Sequence, residues 1–204
     1  ASNLLNAWRK AYDADKVSIF GGIVALNRPV TLEVAEEMMP VFLEVVIAPS
    51  FDSDALKLLS SKKNLRLLEL PEVAKPIAED SIMLKQVYGG LLIQDQDTNV
   101  LNSDEIGIPT ETKPDEAMQA DLLFAMKVVK HVKSNAIVLV KDQQTVGIGP
   151  GQPNRITSAQ IAIKNAGDKA SGAILGSDAF FPVADTVEAA AEAGITAIIQ
   201  PGGS

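Results

Sequence analysis

The sequence predicts an α/β protein in which helices cover both faces of mixed sheets, a three-layer α/β/α arrangement. Short runs of β-branched and aliphatic residues alternate with amphipathic stretches along the 204 residues, an order typical of sheets enclosed by helices. With 47% hydrophobic and 22% charged residues, the chain can bury the core of one large domain or of two small ones.

Strands are predicted where aliphatic and β-branched residues form short runs bounded by turn residues. Three of these runs precede a polar stretch in the middle of the chain, and four follow it. The runs are 17–26, 45–48, 65–70, 136–140, 145–148, 173–176 and 195–199.

Helices are predicted between these strands, first at 31–39 and 52–62. A third, at 115–132, is the longest, and its apolar residues recur on one face while Lys127 and Lys130 lie outside it. The apolar face contains Leu122, Leu123, Met126, Val129 and Val132. We expect this face to pack on a sheet.

Two later helices are predicted from capping signals. The pair Thr157 and Gln160 and the pair Asp185 and Glu188 each place a capping oxygen three residues before a Gln or Glu. The predicted ends of these helices are Gly167 and Gly194.

The polar stretch 94–114 predicts a long exposed connection between two α/β halves. We therefore expect a first domain at 1–95, a connecting loop at 96–114 and a second domain at 115–204. A calcium site is the alternative, but the spacing of the oxygen-bearing side chains does not match a calcium-binding loop, and a solvated linker is favoured. These side chains belong to Asp95, Asp97, Asn99, Asn102 and Asp104.

Charge and composition exclude several classes of function. Lys and Arg total 18 against 26 Asp and Glu, a net charge of -8, which disfavours binding to nucleic acid or an anionic membrane. The chain has no cysteine for a disulfide, a thiolate nucleophile or a Cys-ligated metal, and a single histidine, His131, cannot form a His-rich site. We expect no transition metal. Without a membrane-length apolar run or a signal-peptide pattern at the start, a cytoplasmic protein is predicted.

The segment 145–158, TVGIGPGQPNRITS, runs from a strand through a glycine-rich turn into a helix. Glycines allow a ligand to approach closely, amides at a helix start point outward, and Arg155 offers a fork of donors. The segment therefore predicts a site for phosphate or carboxylate. Its spacing fits neither the dinucleotide-binding nor the Walker pattern, and the alternative is that the glycines serve only a tight turn.

The segment 176–185, GSDAFFPVAD, lies between a buried strand and a helix. Because successive loop residues point in different directions, Phe180 and Phe181 are not both expected in the core, and one is suited to wall a flat heteroaromatic ligand. Asp185 is either an acceptor for such a ring or the cap of the following helix, and the sequence alone favours the cap.

Several segments resemble one family in both order and spacing. They are KHVKSNAIV from Lys130, TVGIGPGQPNR from Thr145, GDKA from Gly167, SDAFFP from Ser177 and AGITAIIQPGG from Ala193, with SIFGGIVALN from Ser18 and EVVIAP from Glu44. This set resembles the transformylase domain of the bifunctional enzyme that formylates aminoimidazole carboxamide ribotide (AICAR). The likeness covers nearly the whole chain.

The resemblance implies a cytidine-deaminase-like fold, duplicated within the transformylase region, and a homodimer with active sites at the subunit interface. It also implies formyl transfer from 10-formyltetrahydrofolate, the cosubstrate, to the 5-amine of AICAR to give FAICAR in purine biosynthesis. The full-length protein would also carry IMP cyclohydrolase. The zinc chemistry of deaminases is excluded independently, because the Cys and His ligands are missing.

The resemblance also implies roles for individual residues. Asn135 would lie beside the reacting formyl and amine groups, where its amide orients them and stabilises developing charge; alternatively it caps the start of a strand. For two of the residues named next, a purely structural role is about as well supported as a binding role: Glu44 as a solvated strand end and Ile156 as a core residue. The AICAR site would contain Phe20, Gly21, Glu44, Gln152 and Arg155, and the folate site Ile156, Phe180, Pro182 and Asp185.

The sequence also departs from the family pattern. Asn154 stands where a serine usually precedes the arginine, and Val183-Ala184 replaces a common phenylalanine-arginine pair. The family's lysine-histidine pair and its terminal arginine-histidine-phenylalanine region would fall outside these 204 residues, and Lys130-His131 belongs to a different motif. We expect a fragment with little or no activity alone, because proton removal and close alignment are both needed.

Three functions remain open from the sequence: an enzyme fragment of a formyltransferase, a non-catalytic module that binds a nucleotide or folate, and an unrelated phosphate-binding α/β domain. The resemblance favours the first. That interpretation depends on one geometric expectation, that the turn 149–155 and the corner 180–185 open onto a shared cleft.

Overall fold

The computed structural model describes residues 1–78, 80–99, 101 and 103–202. The chain divides into two compact units, Ala1–Asn99 and Val100–Ser204, called here the N-terminal unit and the C-terminal unit. Asn102 in the predicted connection and residues 203–204 of the predicted second domain lie outside the described residues.

The N-terminal unit is built on a parallel sheet of three short strands. Its sheet order is β1-β2-β3, and both pairings are parallel, as expected for strands joined through helices. The elements are α1 (Leu4–Ala14), β1 (Gly22–Ala25), α2 (Leu32–Met38), β2 (Leu43–Ala48), α3 (Ser53–Leu59), β3 (Arg66–Glu69), a 3-10 turn (Pro71–Ala74), β4 (Ile82–Val87) and β5 (Gly90–Asp95).

The parallel sheet packs one face into the core of this unit. Val24, Val46 and Leu67 are cross-strand neighbours and belong to, or pack against, an apolar cluster with side chains of α1, α2 and α3. On the opposite face Ile23 and Leu68 are exposed. Parallel sheets are usually covered on both faces, so this exposed face is unusual for its class.

The hairpin β4–β5 exposes apolar side chains along its whole length. Its strands pair antiparallel, with Ile82 opposite Asp95 and Val87 opposite Gly90, and every residue of both strands is exposed. An isolated two-stranded hairpin is marginal in water, and an exposed apolar patch marks an interaction surface. The exposed apolar residues of this hairpin are Ile82, Met83, Leu84, Val87, Tyr88, Leu91, Leu92 and Ile93.

The C-terminal unit is built on a mixed sheet of order β7-β6-β8-β9. Strand β6 is antiparallel to both β7 and β8, whereas β8 and β9 are parallel. The elements are a 3-10 turn (Ser103–Glu105), α4 (Glu116–Val129), β6 (Ile137–Lys141), β7 (Gln144–Gly149), α5 (Arg155–Ala166), a 3-10 turn (Gly167–Ala170), β8 (Ile174–Ser177), α6 (Asp185–Glu192) and β9 (Ala197–Ile199).

Helices cover both faces of this mixed sheet. Val138 and Val140 of β6 pack in one apolar cluster with side chains of α4. The alternate residues Ile137 and Leu139 pack in a second cluster with side chains of α5 and α6. Since successive strand residues point to opposite faces, the C-terminal unit consists of three layers with the sheet in the middle.

The predicted α/β class with mixed sheets is confirmed, and every predicted strand overlaps an observed one. The prediction for 17–26 is too long, because only Gly22–Ala25 is extended. Before it the Asp15 carboxylate accepts hydrogen bonds from the backbone N–H groups of Val17 and Ser18, which favours a turn over a strand. Helix α1 and the hairpin β4–β5 were not predicted.

Both predicted helix caps are wrong. The N-cap of α5 is Asn154, whose side-chain oxygen accepts a hydrogen bond from the N–H of Thr157 at 3.0 Å; Thr157 therefore lies inside the helix. Helix α6 is preceded by Ala184, and Asp185 is its first residue. The Asp185 carboxylate accepts from the neighbouring N–H of Thr186 at 2.6 Å and cannot cap from outside the helix.

The predicted helix ends agree better with the structure. Gly167 and Gly194 follow α5 and α6 with positive φ angles of 54 and 76, as helix-ending glycines do. Helix α4 ends at Val129, three residues before its predicted end, and Lys127 and Lys130 are exposed as predicted. Among the described residues no helix combines the length and apolar character that crossing a bilayer requires.

Candidate functional site

Strand directions bring three loops together at one end of the C-terminal sheet. Because β6 runs antiparallel to both β7 and β8, the residues before β6 lie beside the residues that follow β7 and β8. Asn135 precedes β6, the turn 150–154 follows β7, and Asp178 follows β8. The topology therefore gathers residues that are distant in sequence.

Arg155, the first residue of α5, joins these loops. Its guanidinium donates to the side-chain oxygen of Asn135 at 2.7 Å and to Oγ of Ser177 at 3.1 Å, and it pairs with the Asp178 carboxylate. The side chains of Arg155 and Asp178 are only 11% and 15% exposed. Charge-assisted hydrogen bonds are stronger than neutral ones, and low exposure reduces their screening, so Arg155 is held in one orientation.

The side-chain amide of Asn135 is anchored at both ends. Its Nδ2 group donates to the carbonyl oxygens of Gln152 at 2.9 Å and Pro153 at 3.1 Å, while its oxygen faces Arg155. Carbonyls only accept and a guanidinium only donates, so the amide has one consistent orientation. Oγ of Ser158 donates to the backbone carbonyl of Asn135 at 2.8 Å, which fixes the main chain as well.

Asp178 carries the charge that holds Arg155. Burial disfavours ionisation of its carboxyl group, but hydrogen bonds from Ser134, the N–H of Ala136 and Arg155 outweigh burial and lower the pKa of Asp178 below its ordinary value of 3.8. The Ala136 N–H lies 3.0 Å from Oδ1 of Asp178. Asp178 is therefore a carboxylate at neutral pH.

Close packing of helix α5 on strand β7 requires glycine at two positions of the segment 145–158. A Cβ atom at Gly147 would lie 2.1 Å from the carbonyl oxygen of Ala162, and one at Gly149 would lie 1.9 Å from that of Ser158. Both glycines thus allow α5 to lie directly against β7. Gly151, with a φ of +66, occupies the turn itself. Close approach of a ligand to this turn stays a prediction.

The two adjacent phenylalanines differ in burial, and they are not both in the core, as predicted. Phe181 packs against the apolar cluster beneath α5 and α6, and its N–H donates to the side chain of Gln200 at 2.8 Å. Phe180 is exposed, and so are Pro182 and Asp185. Phe180 is therefore the ring available to a ligand in this loop.

The other two predicted residues of the C-terminal unit lie close to the network. Gln152 and Ile156 are both partly buried. The side chain of Gln152 donates to the carbonyl of Pro150 at 2.9 Å, which keeps it within the turn. Arg155, the last residue of the predicted turn 149–155, contacts Ser177 and Asp178 at the end of β8; a cleft shared with the corner 180–185 stays a prediction.

Phe20 and Gly21 lie just before β1 in the N-terminal unit. The Phe20 ring is exposed, and its centroid lies 5.0 Å from that of Phe42. Gly21 has a φ of +74, and its N–H donates to the carbonyl of Phe42 at 2.8 Å. The positive φ favours glycine at this position.

Glu44 lies at the same end of this sheet and occupies a bulge. The register between β1 and β2 advances by two residues on β2 for one on β1 at Glu44, and such bulges re-aim side chains. Its carboxylate is exposed and lies 3.4 Å from Arg66. Phe20, Gly21 and Glu44 therefore form a second group of predicted site residues within the N-terminal unit.

Sequence reasoning missed Ser158, Ser177 and Asp178 as members of the network. Ser158 and Ser177 are fully buried, and buried hydroxyl groups need partners. A serine on the inner face of a helix and a Ser-Asp pair directly after a buried strand were the available signals. Neither signal identifies its partner, because the pairing depends on strand order.

A cavity of about 430 Å³ lies between α1 and β1 within the N-terminal unit. Its lining is apolar apart from Asn27 and includes Leu4, Trp8, Ile19 and Ile23, but none of the predicted site residues. Within the part of the chain that the structure describes, no three His, Cys, Asp or Glu side chains are grouped so as to hold a metal ion.

The mixed sheet between helices defines an α/β protein. Polar side chains gather at the end of the sheet where β6 begins and β8 ends, and this end is the candidate ligand site. Residues 1–165 match the family model described as AICARFT/IMPCHase bienzyme. The chain belongs to this family.

Curated relatives are similar over nearly the whole chain. A bifunctional purine biosynthesis protein PurH from Acetivibrio thermocellus is 56% identical over 204 residues, 100% of this chain and 40% of that protein. The PurH protein of Halalkalibacterium halodurans is 58% identical over 198 residues, 97% of this chain and 38% of its own length. That of Bacillus subtilis is 57% identical over 201 residues, 98% of this chain and 39% of its own length. The chain thus spans about two fifths of the length of these relatives.

Proposed function

We propose that this chain is part of an enzyme that transfers a formyl group from 10-formyltetrahydrofolate to the 5-amine of AICAR, giving FAICAR in the synthesis of inosine monophosphate. The full-length protein also carries IMP cyclohydrolase in this proposal. The observation that carries it is family membership over residues 1–165, together with the convergence of Asn135, Gln152 and Arg155 in one network.

The anchored amide of Asn135 supports a position beside the reacting groups. The 5-amine of AICAR is an aromatic amine and a weak nucleophile, so the reaction depends on holding it close to the formyl carbon. A polar group that is already fixed by neighbouring hydrogen bonds needs little reorganisation during the reaction. In this proposal Asn135 contacts the reacting groups, and Gln152 and Arg155 lie near the nucleotide.

The loop after β8, together with the first turns of α5 and α6, is proposed to bind the folate. Ile156, Phe180 and Pro182 pack against the folate, and Asp185 accepts hydrogen bonds from the pterin. The exposure of the Phe180 ring and of the Asp185 carboxylate supports this assignment, since a flat heteroaromatic ring needs an apolar wall and a polar edge.

Three residues of the N-terminal unit are proposed to bind AICAR in a cytoplasmic homodimer. Phe20 and Gly21 line that site, Glu44 binds the polar edge of AICAR, and the active sites lie at the subunit interface. The exposed apolar hairpin β4–β5 and the exposed face around Ile23 support an interface between subunits. The fold in this proposal is cytidine-deaminase-like and duplicated.

Calorimetric titration of the chain with AICAR and with a non-transferring analogue of 10-formyltetrahydrofolate tests the proposal. We expect saturable binding of each ligand and no comparable binding of adenosine monophosphate, which carries the same phosphate. Phe180→Ala should weaken binding of the folate analogue about tenfold and leave AICAR unchanged. Val187→Ala, which removes another exposed apolar side chain, is the matched control.

The outcomes separate the candidate functions. A folded chain that binds neither ligand contradicts the proposal. Equal binding of AICAR and adenosine monophosphate supports an unrelated phosphate-binding domain instead. Binding of both ligands without formyl transfer by the full-length protein supports a non-catalytic binding module.

A further inference from the structure

The hydrogen bonds of Asn135 determine which group it can offer to a ligand. A side-chain amide has two N–H donors and an oxygen with two acceptor lone pairs. Both donors of Asn135 are directed at the carbonyls of Gln152 and Pro153, and one lone pair receives Arg155. The capacity that remains after these bonds is the second lone pair of the oxygen.

Arg155, the donor to the Asn135 oxygen, is also bound by Asp178. Asp178 holds the Arg155 guanidinium through the same Oδ1 atom that accepts the N–H of Ala136 at 3.0 Å. Ser177 adds a second acceptor for Arg155 at 3.1 Å, and its own hydroxyl donates to the carbonyl of Ala179 at 2.6 Å. Arg155 is thus held through its Nη1 atom by residues at the end of β8, while its Nη2 atom donates to Asn135.

We propose that Asp178 is a positioning residue for Asn135: through Arg155 it fixes the Asn135 amide so that the amide presents an acceptor, not a donor, to the ligand. The inference rests on the proposed function, because the ligand group received is then the 5-amine of AICAR. An N–H bond of the amine donates to Oδ1 of Asn135, and this contact aims the nitrogen at the formyl carbon. Asn135 takes up no proton in this step.

The assignment follows from what each partner can do. If the amide were reversed, its Nδ2 group would face the donors of Arg155 and its oxygen would face two carbonyl oxygens, and both contacts would be repulsive. Loss of Asp178 removes the charged acceptor that keeps Arg155 beside Asn135. The amide would then be free to rotate and to lose its bonds to Gln152 and Pro153.

The first measurement is solvent exchange of the Asn135 side-chain amide protons by NMR, with the signals identified by their absence in Asn135→Ala. Asp178→Ala should raise the exchange rate about tenfold or more, because an anchoring interaction is lost. Asp178→Asn should restore part of the protection, since its amide oxygen can still accept from Arg155. Asp168→Ala, which removes an exposed aspartate of the same unit, should leave the rate unchanged.

The second measurement compares AICAR with an analogue that has hydrogen in place of the 5-amine. The wild-type chain should bind AICAR about tenfold more tightly than the analogue, and Asp178→Ala should bind both alike. If the wild-type chain does not bind AICAR, the proposed function fails while the exchange measurement still decides whether Asp178 positions Asn135.

Two results would overturn the inference. Unchanged exchange at Asn135 in a folded Asp178→Ala chain contradicts the positioning role, and faster exchange with undiminished preference for the 5-amine contradicts the acceptor role. Should Asp178→Ala not fold, Arg155→Lys replaces it, because lysine keeps the charge but cannot bridge Asp178 and Asn135 with a planar fork. Unchanged exchange in Arg155→Lys then contradicts the positioning role.

Discussion

The two units differ in how their sheets are covered, although both sheets are rich in aliphatic residues. In the C-terminal unit, alternate residues of β6 enter two apolar clusters on opposite faces. In the N-terminal unit, the face that carries Ile23 and Leu68 is exposed. An aliphatic run therefore indicates a strand but does not tell whether both of its faces are buried within the same unit.

The polar pairs differ in the same way. Arg155 and Asp178 are 11% and 15% exposed and belong to a network with Asn135, whereas Arg66 and Glu44 are 63% and 51% exposed and form an isolated pair at 3.4 Å. Isolated surface pairs contribute little to stability. The ion pair of the C-terminal unit thus belongs to the network of the candidate site, whereas Glu44 of the N-terminal unit is accessible.

The largest expected difference is between two leucine substitutions. Leu139→Ala removes a fully buried side chain from β6 and should lower the free energy of unfolding by about 2–5 kcal/mol. Leu68→Ala acts on a side chain that is 49% exposed and should change it by less than about 1 kcal/mol. Urea denaturation measures both. An equal cost for Leu68→Ala would mean that the exposed face of the N-terminal sheet is covered in solution.

A smaller difference in stability is expected when the ion pair of each unit is removed and the pH is lowered. The folded pKa of Asp178 is lowered, so its stabilisation is present above the unfolded value of 3.8 and is lost as pH falls through the folded value. Asp178→Asn should therefore reduce stability at neutral pH, and its difference from wild type should shrink as pH falls below 3.8.

Thermal denaturation from neutral pH down to about pH 2 checks this window. Glu44→Gln is the matched control, because it neutralises the exposed carboxylate of the N-terminal pair. A constant difference between Asp178→Asn and wild type across this range would show that the charge of Asp178 is not what stabilises the network.

The strands of the three-stranded and four-stranded sheets were predictable because local aliphatic runs specify them, and Asn135 and Arg155 could be selected through the family resemblance. Asp178 could not be selected, because its partnership with Arg155 and Ala136 depends on β6 lying antiparallel to β8, a non-local pairing. The cap of α5 was misassigned because Asn154 and Thr157 are both good capping residues, and only the backbone shows which one lies outside the helix.

The hairpin β4–β5 was missed for a different reason. Its residues 82–93 are largely apolar on both strands, without the regular alternation that marks a half-buried strand. The turn of the hairpin, Tyr88-Gly89, carries the glycine that such connections favour, and this was the available signal. Its exposure shows that apolar composition alone did not predict burial here.

The smallest expected effect compares the turns of the two hairpins. In the C-terminal unit, Asp142 and Gln143 connect β6 to β7 with positive φ angles of 55 and 56, a conformation that favours glycine at the second position. The N–H of Gln143 donates to the Asp121 carboxylate at 2.6 Å; Gln143→Gly keeps that N–H and relieves the backbone strain of the positive φ. In the N-terminal unit, Gly89 has a φ of +82.

Gln143→Gly should therefore raise the free energy of unfolding by about 0.5–1 kcal/mol, while Gly89→Ala should lower it by a similar amount. Urea denaturation resolves changes of this size when both variants are measured beside wild type. Loss of stability in Gln143→Gly would mean that other contacts of the Gln143 side chain outweigh its backbone strain. The strained backbone of this turn would then be stabilised by tertiary contacts, as the partly buried Asp178 carboxylate is stabilised by its hydrogen bonds.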